Sequence, residues 1–362
     1  MQLGQTYPVD PRDIKLTMHS MEFDTRTCMD AVQDGDWDLD PVPFEVSIPG
    51  TLYRSLKQIQ DGATWDETEY WEFLRSSVAV GENHCGVASL GDLHTRCYKW
   101  MQSLVDDVRT FNKIPDRWNE RDHIGVNIDR DGRMILNNGR HRFGVALFFG
   151  IPQIEVQVNV RHAKWVAFKN QVGEYAKGHG GAVYAPVDHM DLGEYPSCHS
   201  GRIEAIAKHL VGTTVLDIGA HWGHCCQHLS RLGKRCLAVE NSADAVYFMQ
   251  KLRTACGADF GIFKGDVFDL EDTTFDSVLA LRIFHHFLKN QGSHEKLVAF
   301  LGKLKTSEMF FQPHDPAVQN MTGAYRNYEE ADFVNFIIEN SCLTSADKIG
   351  QFIGGPIYRI HV

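Results

Sequence analysis

Apolar positions are spaced in two different ways in the first half of the chain. Between residues 51 and 112 they recur every three or four positions, which is the spacing of amphipathic helices. Between residues 124 and 162 they alternate with polar positions, as in strands, apart from one run of helical length. No regular element is predicted before about Pro43. Helices are predicted at 51–59, 65–77, 89–112 and 140–151, and strands at 44–49, 124–128, 134–136 and 153–162.

In the second half, apolar strand-like runs alternate with helical runs of about 10–15 residues. This alternation predicts a parallel α/β sheet with helices on both faces, and a final pair of strands as an antiparallel edge. Glycines and prolines loosen the sequence between the two halves. The predicted organisation is an acidic extension at 1–41, an α+β domain at 42–162, a linker or lid at 163–200 and a Rossmann-like doubly wound domain at 201–362.

Residues 215–242 contain the clearest chemical signal in the chain. An apolar strand is followed by a turn with Gly219 and Gly223, then by a helix and by a second strand that ends on Glu240. Such a β-α-β unit places a nucleotide-like ligand at the carboxyl end of a parallel sheet. The pattern is D-x-G-x-x-x-G, with Asp217 near the position where a dinucleotide would need room for its pyrophosphate. An acid there repels phosphate but suits a cationic ligand.

This stretch resembles motif I of the class I S-adenosylmethionine (SAM)-dependent methyltransferases. The resemblance covers about residues 195–362, since further motifs follow in the same order. It implies that Asp217 and the turn hold the methionyl end of SAM, that Glu240 holds the ribose and that Asp266 contacts the adenine. The implied set of cofactor-binding residues is Asp217, Gly219, Ala220, His221, Gly223, Glu240, Asn241, Asp266, Val267 and Leu281.

Histidines after the predicted fourth and fifth strands of this half are candidate catalytic bases. His285 and His286 form a pair, and His314 lies in the sequence QPHDP. Imidazole titrates in the working range of a general base, and side chains of successive residues diverge, so one member of the pair is expected to face the site. Arg282 is a candidate for gripping an anionic substrate, although a solvated arginine would look the same in the sequence.

A histidine- and cysteine-rich helix follows the glycine turn, in the sequence HWGHCCQH. Spacings of three and four would place several of these side chains on one helix face and permit a zinc site. A helix that packs on the sheet would instead use cysteine as a small apolar residue. We therefore expect no metal.

A second candidate site lies in the first half, at Gly139, Arg140, His141 and Arg142. A glycine turn at a helix start offers free N–H groups, and the basic side chains add positive charge, so an anion site is predicted, plausibly for a nucleotide phosphate. The surrounding 42–162 resembles the ParB/sulfiredoxin-like superfamily. Arg140 stands where sulfiredoxins carry their cysteine, and no basic helix-turn-helix follows. Nucleotide binding, kinase-like chemistry or substrate recognition remain open for this domain.

Composition and charge restrict the class of partner. The net charge is −11, and residues 21–80 alone carry 13 acids against 4 bases. Such a chain is not suited to strong non-specific nucleic-acid binding. No signal peptide or membrane helix is expected, and nine scattered cysteines favour a cytoplasmic protein.

The sequence predicts a SAM-dependent methyltransferase with a small-molecule or sugar-like acceptor. Its carboxyl end resembles bacterial methyltransferases associated with surface-polysaccharide genes, which is the source of the sugar hypothesis. One alternative is a nucleic-acid-associated methyltransferase positioned by the ParB-like domain. Another is a bifunctional enzyme with nucleotide-dependent kinase- or phosphatase-like activity in its first half.

Overall fold

A computed structural model describes residues 5–18, 28–82, 89–119, 122–193, 195–197, 199 and 201–362. The chain divides into two compact units, Met1–Gln171 and Val172–Val362. The division falls inside one helix, and each unit is considered separately below.

The first unit contains a mixed seven-stranded sheet. Its strands are β1 Thr6–Val9, β2 Leu16–Met18, β3 Ala31–Gln33, β4 Pro41–Pro43, β5 Ile124–Ile128, β6 Met134–Leu136 and β7 Ile154–His162. Their order in space is β1-β7-β5-β6-β2-β4, and β3 also pairs with β7. The predicted hairpin of β5 and β6 is confirmed by their antiparallel pairing.

The prediction of no regular element before Pro43 was wrong, because four strands lie there. They are three or four residues long, and β4 contains two prolines, so neither length nor alternation marks them. The strand predicted at 44–49 was also wrong, since Phe44–Val46 is a 3-10 turn. Finally, β7 is not half-buried as its alternation suggested: eight of its nine residues are buried.

Helices flank the sheet of the first unit, and all but the last of them overlap segments that were predicted to be helical. They are α1 Thr51–Gln60, α2 Glu69–Ala79, α3 Leu90–Asp92, α4 Tyr98–Phe111, α5 Arg140–Phe148 and α6 Ala163–Gly178, with a π-helical stretch at Leu93–Cys97 between α3 and α4. α6 occupies the first half of the segment predicted as a linker or lid. Its buried residues Trp165, Phe168, Val172 and Ala176 are three or four positions apart, so a helical pattern was present among the glycines.

The second unit contains the predicted α/β sheet. Its strands are β8 Thr214–Ile218, β9 Arg235–Glu240, β10 Gly261–Lys264, β11 Ser277–Leu281, β12 Glu308–Gln312, β13 Ser345–Phe352 and β14 Gly355–His361. Its helices are α7 Arg202–Ala207, α8 His224–Arg231, α9 Ala243–Ala255, α10 Gln291–Lys303 and α11 Glu330–Asn340. Alternate residues of β8 enter different apolar clusters, Leu216 in one and Val215 in the other, so both faces of this sheet are covered.

Strand order in the second unit is β10-β9-β8-β11-β12-β14-β13. The strands β8 to β12 pair in parallel, and β14 is antiparallel to both of its neighbours. The last two strands, β14 and β13, therefore form the edge of the sheet with antiparallel pairing, as predicted. The order reverses between β8 and β11, and a crevice opens at the carboxyl ends of strands at such a switch point.

Candidate active site of the second unit

The turn between β8 and α8 is shaped by three residues with positive φ. These angles are 71° at Gly219, 52° at His221 and 78° at Gly223. A Cβ on Gly219 would lie 2.6 Å from the Ile283 side chain, so glycine is required by space as well as by conformation. The turn is tied to the next strand, because the N–H groups of Gly219 and Ala220 both donate to the Val239 carbonyl.

Two carboxylates stand at the carboxyl ends of neighbouring strands. Glu240 is the last residue of β9, and its Oε2 accepts a hydrogen bond of 2.9 Å from the backbone N–H of His221. Its Oε1 accepts one of 2.9 Å from the N–H of Ser242. Asp266 follows β10 and accepts from the N–H of Phe268 at 3.2 Å. Backbone amides therefore fix both carboxylates while lone pairs on each remain for a ligand.

A cavity of about 390 Å³ lies at this edge of the sheet. Its lining residues are Tyr184, Ile218, Gly219, His221, Val239, Glu240, Asn241, Gly265, Asp266, Val267, Leu281, Arg282, Ile283, His286 and Phe287. Its volume is within the usual range for small-molecule sites. Seven of the ten residues predicted to bind the cofactor are in this lining. They are Gly219, His221, Glu240, Asn241, Asp266, Val267 and Leu281.

The other three predicted cofactor residues, Asp217, Ala220 and Gly223, lie behind the cavity lining. Asp217 is only 4% exposed, and the thiol of Cys226 donates to its Oδ2 at 3.6 Å. Burial raises the pKa of Asp217 to about 7, with Cys226 and Arg202 acting in the opposite direction. The carboxyl group of Asp217 is therefore buried against α8 and is not part of the cavity lining.

The candidate bases form a stack that begins at the cavity. His286 is exposed and lines the cavity, whereas His285 is buried behind it, with 4.1 Å between the ring centroids. His314 is buried 5.1 Å from His285, and its Nε2 is 2.9 Å from Asn327 Oδ1. Burial lowers the pKa of all three rings, that of His285 to about 3 with His286 adding to the effect. Neutral rings are in the state a base requires.

Arg282 lies in the same lining with an unusual backbone. Its φ is 57°, a conformation that costs an L-residue on the order of 1 kcal/mol. Its backbone N–H donates to the Gln312 carbonyl at 2.9 Å. Within the described part of the chain, its guanidinium group makes no hydrogen bond and no ion pair.

Aromatic side chains from the segment before β8 complete the cavity, and the sequence did not predict them. Tyr184 lines the cavity, and its ring lies 4.8 Å from that of His221. The hydroxyl of Tyr175 is 3.4 Å from Nε2 of His221, and its ring packs 4.6 Å from that of Trp222. Other unpredicted lining residues, such as Ile218, Val239 and Gly265, adjoin predicted ones at strand ends and could have been inferred from that position.

The predicted anion site of the first unit has a different character. Gly139 has a φ of 77° and precedes α5, as predicted. The guanidinium of Arg142, however, donates to the carbonyls of Trp118 and Asp122, to Asn119 Oδ1 and to Asp122 Oδ1, all at 2.7–2.9 Å. Burial lowers the pKa of Arg142, and Asp122 opposes this effect. Its hydrogen-bonding capacity is largely used by the loop that it holds.

Two other residues of this turn differ in their surroundings. Nε2 of His141 is 2.6 Å from the Tyr70 hydroxyl, and Arg140 is half-buried at the start of α5. The first unit has a separate cavity of about 510 Å³, which residues of α1, α4 and the end of α5 line. None of Gly139, Arg140, His141 and Arg142 lines that cavity.

Two features, a metal-binding cluster and a membrane-spanning helix, are absent from the described residues. No three histidine, cysteine or acidic side chains there are arranged to hold a metal ion. In the same residues, no helix combines the length and the apolar character needed to cross a membrane.

Residues 216–301 match the family model described as "Methyltransferase domain". The matched range begins in β8 and ends in α10, so it includes the glycine turn, both carboxylates and the histidine pair. The second unit of the chain therefore carries a methyltransferase domain. Comparison with curated proteins finds no significant match.

Several solved structures are similar to part of the chain. The bifunctional kinase-methyltransferase WbdD matches at 16% identity with a TM-score of 0.43, over 53% of this chain and 46% of WbdD. The methyltransferase domain of bacterial CtHen1 matches at 13% identity and a TM-score of 0.35, over 45% of this chain and 96% of that one. A SAM-dependent methyltransferase from Aquifex aeolicus matches at 16% identity and a TM-score of 0.35, over 44% and 88%. The match to WbdD thus spans about half of that protein.

Proposed function

We propose that the protein transfers the methyl group of SAM to a small-molecule or sugar-like acceptor in the cavity of the second unit. The observation that supports this most is the pair of carboxylates, Glu240 and Asp266, at the ends of neighbouring strands in the lining of one cavity. Two carboxylates disfavour a pyrophosphate and favour the hydroxyl and amino donors of an adenosine. The nine scattered cysteines favour a reducing compartment, so we place the reaction in the cytoplasm.

The residues present fit the proposed cofactor. Glu240 would accept hydrogen bonds from the ribose hydroxyls and Asp266 from the adenine amino group. Val267 and Leu281 would pack on the ring, and Gly219 would let backbone approach the ligand closely. Asn241 and His221 would complete the contacts, while Asp217 holds the turn from behind. When bound, SAM supplies a methyl group on a cationic sulfur.

His286 is proposed as the general base, because it is the one member of the three-histidine stack in the cavity lining. Its neutral imidazole would take the proton from an acceptor hydroxyl as the oxygen forms its bond to the methyl carbon, while the bond from that carbon to sulfur breaks and S-adenosylhomocysteine leaves with the electron pair. His285 and His314 would position this ring through the stack. Tyr184 would cover the cavity and exclude water.

We also propose that the first unit is a ParB/sulfiredoxin-like domain that helps to recognise the substrate. The turn that contains Gly139 and Arg142 supports substrate recognition rather than nucleotide turnover, because Arg142 is bonded to the backbone carbonyls of Trp118 and Asp122. An anion site was predicted at Arg140, His141 and Arg142, but the guanidinium of Arg142 is then not free to bind an anion.

Calorimetry with SAM and with its demethylated product, S-adenosylhomocysteine (SAH), tests the proposed function. We expect binding to the full chain and a loss of about 100-fold or more in Asp266→Ala, which corresponds to about 2.7 kcal/mol. Asp269→Ala is the matched control, since Asp269 is an exposed acid three residues away and outside the cavity lining. Absence of SAH binding to the wild-type protein would refute the function, and equal binding by the two variants would refute the assigned site.

A further inference from the structure

The cavity of the second unit has two chemically different sides. Glu240 and Asp266 stand at the ends of β9 and β10, where the proposed function places the cofactor. Arg282 follows β11, on the other side of the switch point, with His286 four residues further on. One side is therefore acidic and the other carries a full positive charge beside imidazole rings.

In the described part of the chain, the charge of Arg282 has no counter-ion. Among the residues that the structure describes, no carboxylate forms an ion pair with its guanidinium. It lies close enough to His199, His285 and His314 to lower the pKa of each of these rings, which burial already lowers. Burial and Arg202 lower the pKa of His199 further, to about 4. These neighbours are neutral at pH 7 and cannot balance the charge.

Buried polar atoms near Arg282 also lack partners. His199, His285 and His314 are each more than nine-tenths buried, and the Nδ1 atom of each has no hydrogen-bond partner. A buried polar group without a partner is costly, and so is a partly buried charge without a counter-ion. A bound oxyanion would relieve the uncompensated charge of Arg282.

The backbone around Arg282 is built to hold its side chain in place. The turn between β13 and β14 packs against it, and a Cβ on Gly354 would lie 2.5 Å from Nη1 and 2.9 Å from Cδ of Arg282. The side-chain amide of Gln312 donates to the carbonyls of Ile353 and Gly355, which fixes that turn. The positive φ of Arg282 also indicates a functional site, because strained residues concentrate at such sites.

We propose that Arg282 binds an oxyanion of the methyl acceptor, so that the enzyme acts on small molecules that carry a carboxylate or a phosphate group. This inference rests on the proposed function, because it names the substrate class of the same cavity. Arginine is suited to both groups, since its planar fork donates two parallel hydrogen bonds.

Inorganic phosphate and acetate are the probes that test the inference. Each is titrated into the SAH-saturated full chain, and binding is followed through the histidine ring resonances by NMR. We expect saturable binding of at least one probe and a weakening of about tenfold or more in Arg282→Gln. Arg235→Gln removes the same charge from an exposed position at the amino end of β9, and we expect it to bind as the wild type does. The tighter probe identifies the oxyanion.

A second variant guards against misfolding of Arg282→Gln. Gly354→Ala keeps the charge but displaces the guanidinium, so it is expected to weaken the same probe. If neither probe binds, or if both variants bind as the wild type does, the inference is overturned. Calorimetry on the wild type separates the two hypotheses: lack of SAH binding refutes the proposed function, whereas SAH binding without Arg282-dependent oxyanion binding overturns only this inference.

Discussion

Two glycine turns in this protein have nearly the same backbone and opposite surroundings. Gly139 precedes α5 with φ 77° and ψ 24°, and Gly223 precedes α8 with φ 78° and ψ 18°. Next to the first turn, Arg142 is bonded to four acceptors. Near the second, Arg282 lines a cavity, and it has no counter-ion within the residues that the structure describes. A glycine-led helix start therefore does not by itself define a ligand site; the unused bonding capacity of the side chains around it does.

Substitution of Arg142 should lower the free energy of unfolding strongly, whereas substitution of Arg282 should hardly change it. This difference is the largest effect we expect. Arg142→Ala leaves the carbonyls of Trp118 and Asp122 without their donor, so the free energy of unfolding should fall by about 3 kcal/mol. Arg282→Gln should change it by less than about 0.5 kcal/mol, because no hydrogen bond between that guanidinium and the described residues is lost. Urea unfolding monitored by circular dichroism measures both values.

Arg75→Ala is the control for this comparison, since Arg75 is exposed and forms its ion pair with Glu72 on the same helix. It should cost about 0.5 kcal/mol or less. A stable Arg142→Ala together with a strongly destabilised Arg282→Gln would reverse the roles assigned to the two turns.

The success of prediction from the sequence differs between these two regions for physical reasons. The alternation of strands and helices in the second unit is local, so the sheet and the carboxylates at its strand ends, Glu240 and Asp266, could be predicted. Tyr184 could not, because its position depends on how a segment folds back over a distant turn. The role of Arg142 was hidden for a similar reason: two of its acceptors are backbone carbonyls of a loop more than 15 residues earlier.

The same limit applies to the short strands of the first unit. β2 has only three residues and forms by pairing with β4 and β6, the latter more than 100 residues away. The pattern of apolar and polar residues along the chain gives no information about that pairing. Sequence-based prediction therefore succeeded where a long element determines its own structure, as in α1 and α4, and failed where distant partners determine it.

A smaller effect should come from Asp217, which the second turn buries. Its pKa in the folded protein, about 7, lies above the ordinary value of 3.8, so the folded state binds the extra proton between these values. The wild type should therefore lose stability as the pH rises from about 4 to about 7. The shift sets an upper limit of about 4 kcal/mol at 1.36 kcal/mol per pKa unit, and we expect about 2 kcal/mol.

Asp217→Asn removes this titration while keeping the shape of the side chain. The difference in unfolding free energy between the variant and the wild type should favour the variant increasingly from pH 4 to pH 8. His199, His221 and His285 have lowered pKa values and cost stability in acid, but they are present in both proteins and cancel. Parallel pH curves for the two proteins would show that Asp217 is ionised and solvated, contrary to its position behind the turn.

We propose above all that the cavity at the carboxyl ends of β8 to β11 holds SAM. A crystal structure of the full chain with SAH is the most direct test. We predict an adenosine whose ribose is bonded to Glu240 and whose amino group is bonded to Asp266, with the sulfur directed toward the side of the cavity that contains Arg282 and His286. SAH bound anywhere else in the chain, or bound in this cavity without contact to either carboxylate, would contradict the claim.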